Sequence, residues 1–249
     1  MLTKQNRFME IDLLRGVAIA LMLVSNFLTD LSFFSIFDLS LNHSLARITA
    51  VLFVFTAGIS LHLSYERAKQ KGNISFFKFF RRGTFIFLLG ILVTLVTLLF
   101  MKSGFILFGV LHFIGLSVIL GYFFVKLDMN KNLFIGIVVL ATGMFLYGLR
   151  FSFPWLLWLG FIPQGFYTVD FFPLLPWFAF ILFGIAVGKR FYPSYRRAFS
   201  FPETSGVLVR LLSFAGRNSL KIYLLHQPLF ILVIFLLFSE KVLLVLGLP

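Results

Sequence analysis

Apolar positions in this chain neither alternate nor keep to a narrow helical stripe. They run on for about twenty residues at a time between short polar breaks, the length a helix needs to cross a bilayer. Such runs fall at 11–31, 46–65, 83–101, 105–125, 133–149, 171–188 and 219–238. They predict an all-α, polytopic membrane bundle of about seven spans, forming one transmembrane domain over residues 1–249. The charged opening Met1–Arg7 precedes an apolar run with no small-residue cleavage site, so the first run reads as a retained span. Residues 206–217 suit a short interfacial helix, with Arg210 and Arg217 snorkelling from an apolar body. Segment 151–170 holds Pro154, Trp155, Trp158, Pro163 and Tyr167, and reads as an interfacial or re-entrant cap, either a plain aromatic belt or a functional lid. The tail Val242–Pro249 is too short to span.

Composition agrees with the pattern. Sixty per cent of the 249 residues are apolar and 12% are charged, which excludes an ordinary soluble domain. With 37 Phe and no Cys, disorder, disulfide scaffolds and thiolate chemistry are excluded as well. The net charge of +13 raises the question of nucleic acid, and its distribution answers it. Sixteen of the 22 basic residues fall on one set of alternate breaks: Lys4 and Arg7, the 66–82 loop with Arg81 and Arg82, Lys126 and Lys131, and the stretch from Lys189 to Arg217. The other set holds only Lys102, Arg150 and Lys241. This positive-inside bias predicts a cytoplasmic N-terminus and, after seven spans, an external C-terminus in a cell-membrane protein, with no nucleic-acid partner needed.

Ionisable residues inside the apolar runs are costly unless paired or solvated, so candidate chemistry lies there. The first span carries Asp12, Arg15, Asn26 and Asp30. Eleven residues separate Arg15 from Asn26, about 1100° of helix, so with Ile19 and Met22 these positions form one stripe. Asp12 and Arg15 can pair at i, i+3 on the cytoplasmic side. In the second span Arg47, Gly58, His62 and Tyr65 share a face; Arg47 can snorkel outward or pair with Asp30 or Asp38. His43 lies in the outer loop before it, His112 in the fourth span and His226 in the seventh, where Ser219, Tyr223 and Gln227 share its face. Histidine suits proton transfer near neutrality, yet buried histidines are also common packing residues. Metal-ligand spacing, a phosphate-cradling glycine loop and a GxSxG elbow are all missing. Three classes remain: an enzyme, a transporter or flippase with the polar stripe as its path, and a non-catalytic membrane scaffold.

The block from Arg7 to Ala18, with Glu10, Asp12, Arg15 and Gly16, resembles the first-span signature of transmembrane acyltransferases. It is most similar to a short prokaryotic branch of the heparan-alpha-glucosaminide N-acetyltransferase catalytic-domain family. Gly109–Gly115 resembles that family's Gly-Val-Leu-Gln-Arg block, with His112 where Gln is usual. Phe183–Lys189 and Gly216–Gln227 resemble its late blocks, so the resemblance spans residues 7–228. It implies transfer of an acyl group, acetyl above all, from cytosolic acyl-CoA as co-substrate, without a metal, to an acceptor at the outer face such as a glycan or lipid-linked sugar. Under that resemblance Asn26 stabilises the oxyanion and His43 takes the acceptor's proton, with His226 and His112 as competing bases. Arg15, Arg81, Arg82 and Arg217 hold the coenzyme phosphates, and Tyr223 and His226 complete that site. A homo-oligomer is compatible with it.

Overall fold

A computed structural model describes residues 7–37, 42–101, 103–202 and 206–246. Among these residues eight α-helices follow one another: α1 (Met9–Phe33), α2 (Asn42–Gln70), α3 (Phe76–Phe100), α4 (Val110–Phe124), α5 (Met129–Tyr147), α6 (Leu174–Phe191), α7 (Val207–Arg217) and α8 (Ser219–Leu246). Six of them, all but α4 and α7, are long and apolar enough to cross a membrane, and α4 is a shorter apolar helix. The protein is therefore an all-helical, multi-pass integral membrane protein, as the apolar runs predict. Its outer faces carry large apolar side chains such as Phe85, Leu92, Phe134, Phe145 and Leu236, which suit contact with acyl chains.

Several boundaries differ from the sequence expectation. The breaks at 66–82 are mostly helix: Arg67 and Lys69 lie in the last turn of α2, and Lys78, Arg81 and Arg82 in the first turns of α3. Basic side chains end an apolar run in sequence without ending the helix, because only the charged tip needs water. At 105–125 the reverse occurs. Only Val110–Phe124 is helical, about 22 Å at the usual rise, and the described residues just before it are irregular. Segment 151–170, expected as an interfacial or re-entrant cap, folds back on itself, with Phe151 N–H donating to the Ile162 carbonyl (3.0 Å) and Gln164 N–H to the Phe151 carbonyl (3.1 Å).

The chain divides into two compact units, residues 1–56 with 201–249, and residues 57–200. In the first, α1 packs on α7 and α8. The approach of α7 is backbone to backbone: a Cβ on Gly16 would fall 2.0 Å from the Leu212 carbonyl oxygen, and one on Gly216 would fall 1.9 Å from that of Asp12. Small residues at such crossings are how helices associate where lipid removes the hydrophobic driving force. Leu31, Phe34, Ile234 and Val242 close the other end of this unit.

In the second unit α3 pairs with α4, and α5 with α6. Gly83 and Gly115 face one another, each too close to the other helix's backbone to admit a methyl group. The α4–α5 turn is tied by Asn132, whose buried amide donates to the carbonyls of Phe124 (3.0 Å), Leu127 (3.3 Å) and Asp128 (2.9 Å). Asp128 caps α5 by accepting from Lys131 N–H at 2.9 Å, and that bond holds its carboxyl below the usual carboxylate range.

Candidate functional site

The predicted stripe on α1 is real. Asp12, Ile19 and Met22 are buried, and Arg15, Asn26 and Asp30 are half-buried. Near the start of α1 Arg15 donates to Asp12, as the i, i+3 spacing predicts, close to where Gly216 meets this helix.

Eleven residues beyond Arg15, α1 meets α8 through polar side chains. Asn26 and His226 lie 2.9 Å apart, Nδ2 to Nε2. His226 Nδ1 lies 2.5 Å from the Tyr223 carbonyl oxygen. A carbonyl only accepts, so Nδ1 carries the proton and donates. The Nε2 lone pair is then the acceptor for the Asn26 amide N–H. The same Asn26 Nδ2 also donates to Met22 Sδ at 3.2 Å. Phe230 closes over this pair, edge-on to the imidazole with ring centres 5.5 Å apart, and it also contacts Phe27 at 5.1 Å. Pro228 follows two residues after His226 and removes one backbone donor from α8 beside the pair. One turn beyond Asn26, Gln227 Nε2 donates to Asp30 Oδ1 at 2.9 Å.

A neutral imidazole with its proton fixed on one nitrogen and its lone pair presented by the other is a general base in the correct tautomer. Its partner Asn26 carries an amide donor that can exchange this lone pair for another acceptor. Buried polar contacts of this kind are not needed to pack α1 on α8, since apolar side chains do so elsewhere along the same pair.

The remaining predicted residues fall elsewhere. His43 lies in the first turn of α2 and its side chain is outside the described residues, as is Asp38. Arg47 is exposed and forms no ion pair with a carboxylate among the described residues; the expected partner Asp30 is bonded to Gln227 instead. Arg217 ends α7 and is exposed. Arg81 and Arg82, in the second unit, are exposed on α3. His112 is buried, also in the second unit, against Phe108 and Phe87. Tyr223 contributes its carbonyl to His226, with its ring 5.3 Å from the imidazole.

One pairing and one residue escaped sequence reasoning. The Asp30–Gln227 link joins positions 197 apart, which no local spacing reveals. Asp170 accepts from the Val110 N–H at 3.1 Å, capping α4 from sixty residues away. Its one sequence signal is that it is the only carboxylate in the aromatic segment before α6. Among the described residues no group of three or more His, Asp or Glu is placed to hold a metal ion.

A multi-pass bundle with a histidine of fixed tautomer facing an asparagine inside its spans has the makings of a membrane-embedded transferase. The chain belongs to the family described as heparan-alpha-glucosaminide N-acetyltransferase, catalytic, which matches residues 7–228. Membership assigns it a transferase activity of the acetyltransferase type. No curated protein and no solved structure matches the chain.

Proposed function

We propose that this protein moves an acyl group, acetyl above all, from cytosolic acyl-CoA to an acceptor at the outer face of the cell membrane. The observation that carries the reading is the Asn26–His226–Tyr223 arrangement within a chain of this family. Acyl-CoA supplies a thioester, an activated acyl group whose leaving group is a thiol. An acceptor hydroxyl or amine entering the site takes the place of the Asn26 amide at His226 Nε2. His226 withdraws its proton as the heteroatom attacks, while the Tyr223 carbonyl stabilises the imidazolium through Nδ1–H. The released Asn26 N–H donates to the thioester oxygen as negative charge develops there. His226 then returns the proton to the departing sulfur, so acyl-CoA and acceptor give acylated acceptor and free CoA. Arg81, Arg82 and Arg217 are exposed and without an ion-paired carboxylate among the described residues, which suits them to the coenzyme phosphates.

The direct test is thermal stability in detergent with acetyl-CoA, longer acyl-CoAs and free CoA, followed by turnover. Acyl-CoA should raise the melting temperature, less so at high salt, and Arg81→Ala with Arg82→Ala should weaken the effect. No shift at millimolar coenzyme in wild type and variant alike would leave the scaffold reading ahead.

A further inference from the structure

Asp30 has two oxygens in unlike surroundings. Oδ1 accepts from Gln227, whereas Oδ2 is buried and has no hydrogen-bond partner among the described residues. A carboxylate oxygen closed off from water without a donor is costly, and inside a membrane span more so. Within the first unit nothing on α1 compensates it. Arg15, the one guanidinium on that helix, is engaged by Asp12 and lies fifteen residues away, about 22 Å along the axis. The neighbours of Asp30 are instead the reactive groups: Asn26 is one turn back on α1, about 6 Å along the axis, and Gln227 is bonded in sequence to His226.

The unfilled acceptor therefore belongs to the residue one helical turn along α1 from Asn26, which itself meets the imidazole that would take the acceptor's proton. We propose that Asp30 is the acceptor-recognition residue, its Oδ2 receiving a second N–H or O–H from an acceptor whose reacting heteroatom lies at His226 Nε2. The inference rests on the acyl-transfer reading and adds the substrate class: small polar molecules with two or more donors on neighbouring carbons, such as amino alcohols and polyols. Gln227 is a positioning residue, holding the carboxylate through Oδ1 so that Oδ2 stays turned to the ligand. A ligand with a single donor fills His226 Nε2 and leaves Asp30 orphaned, which a site built on hydrogen bonds penalises.

Two acceptors with the same carbon skeleton separate this from a structural role: 2-amino-1,3-propanediol, and 2-aminopropane, which lacks both hydroxyls. Acetyl transfer to each is measured in detergent for wild type, Asp30→Asn and Asp30→Glu. Asp30→Asn should lower the diol-over-amine ratio of kcat/KM at least tenfold, through KM for the diol, and Asp30→Glu should restore part of it. A loss that leaves the ratio unchanged, or no loss at all, overturns the proposal while acyl transfer stands. A second arm needs no turnover: stabilisation of the protein by the diol alone, present in wild type and lost in Asp30→Asn. If wild type transfers acetyl to nothing, that reading falls and this arm decides the subsite by itself.

Discussion

His226 and His112 are both buried histidines inside apolar helices, 6% and 4% exposed, yet their surroundings have little in common. In the first unit His226 has a polar partner on each nitrogen: one fixes the proton, and the other, from a different helix, meets the lone pair. In the second unit His112 lies stacked on Phe108 with ring centres 5.5 Å apart and edge-on to Phe87 at 5.1 Å, and it fills the space that a Cβ on Gly90 would need. Its Nδ1 has no partner among the described residues, and Nε2 meets the Thr94 hydroxyl only at 3.5 Å. His62 stands closer to His112: it packs on Gly188 and touches the Tyr192 carbonyl at 3.3 Å. Burial alone therefore does not mark a catalytic histidine. General-base chemistry needs a fixed tautomer with a lone pair offered to an exchangeable donor, and among these three only the α1–α8 contact supplies it.

The comparison breaks first at turnover. His226→Ala should lower acyl transfer about 10²–10⁴-fold, the range for a lost general base. His112→Ala should act mainly on thermal stability, because it opens a hole among aromatic rings. His43→Ala belongs in the same series. Full activity in His226→Ala with loss in His43→Ala would return the base to His43 at the start of α2; loss in His112→Ala alone would reverse the contrast between the units.

Asn26→Ala sharpens the same contrast. It should cost roughly 10²–10³-fold in kcat, the usual effect of removing one oxyanion donor, with coenzyme binding near wild type. Thr94→Val, which removes the nearest polar group to His112, should change kcat by less than about threefold. Equal losses from the two substitutions would mean that Asn26 serves the packing of its helix and not the reaction.

How far this site can be seen in the sequence depends on which geometry is local. The stripe from Asp12 to Asp30 follows from helical periodicity on one element, and the Asp12–Arg15 contact follows with it. The run of apolar residues likewise places the spans. The partner of Asn26 does not follow, because contact between positions 200 apart is decided by how α1 lies against α8, and that is set by α7 and its backbone-close glycines. Family spacing directs attention to His43, on the same side of the chain as Asn26 in sequence. The short α4 is hidden for another reason: residues 105–109 are apolar enough for a span, yet their carbonyls bond the 168–172 strip, with Thr168 Oγ1 donating to Phe105 at 2.8 Å and Phe172 N–H to Phe108 at 3.0 Å.

A weaker perturbation tests the frame around the site. Gly16→Ala places a methyl group against the Leu212 carbonyl and forces α7 off α1, which should cost about 1–3 kcal/mol, the usual range for overpacking. Gly148→Ala, where nothing lies within 4 Å of an added Cβ, is its control and should leave the melting temperature within a degree or two. Because Asp12, Arg15 and Asn26 share α1, Gly16→Ala should lower transfer as well as stability. Lost stability with undiminished transfer would detach α7 from the function of this unit.

The smallest effect belongs to the clasp between Asp170 and Val110 in the second unit, which lies outside the spans and, among the described residues there, holds the one carboxylate raised toward neutrality. Burial lifts the Asp170 carboxyl from its usual value near 3.8 to about 6, and the Val110 N–H opposes that rise without cancelling it. A folded protein that binds this proton more tightly than the unfolded chain gains stability on acidification. The gain is complete below about 3.8 and is lost as pH rises through about 6. Asp170→Asn keeps a side-chain oxygen for Val110 and carries no charge, so it should flatten this dependence. The melting temperature of wild type minus that of Asp170→Asn, followed from pH 7.5 down to 4.5, should therefore rise by a few degrees, on the scale of roughly 2–4 °C per kcal/mol for a chain of this size. The difference cancels every other titrating group that both proteins share. A difference that stays flat, or falls, over that interval would show that the clasp holds Asp170 charged, with the helix N-terminus of α4 outweighing burial.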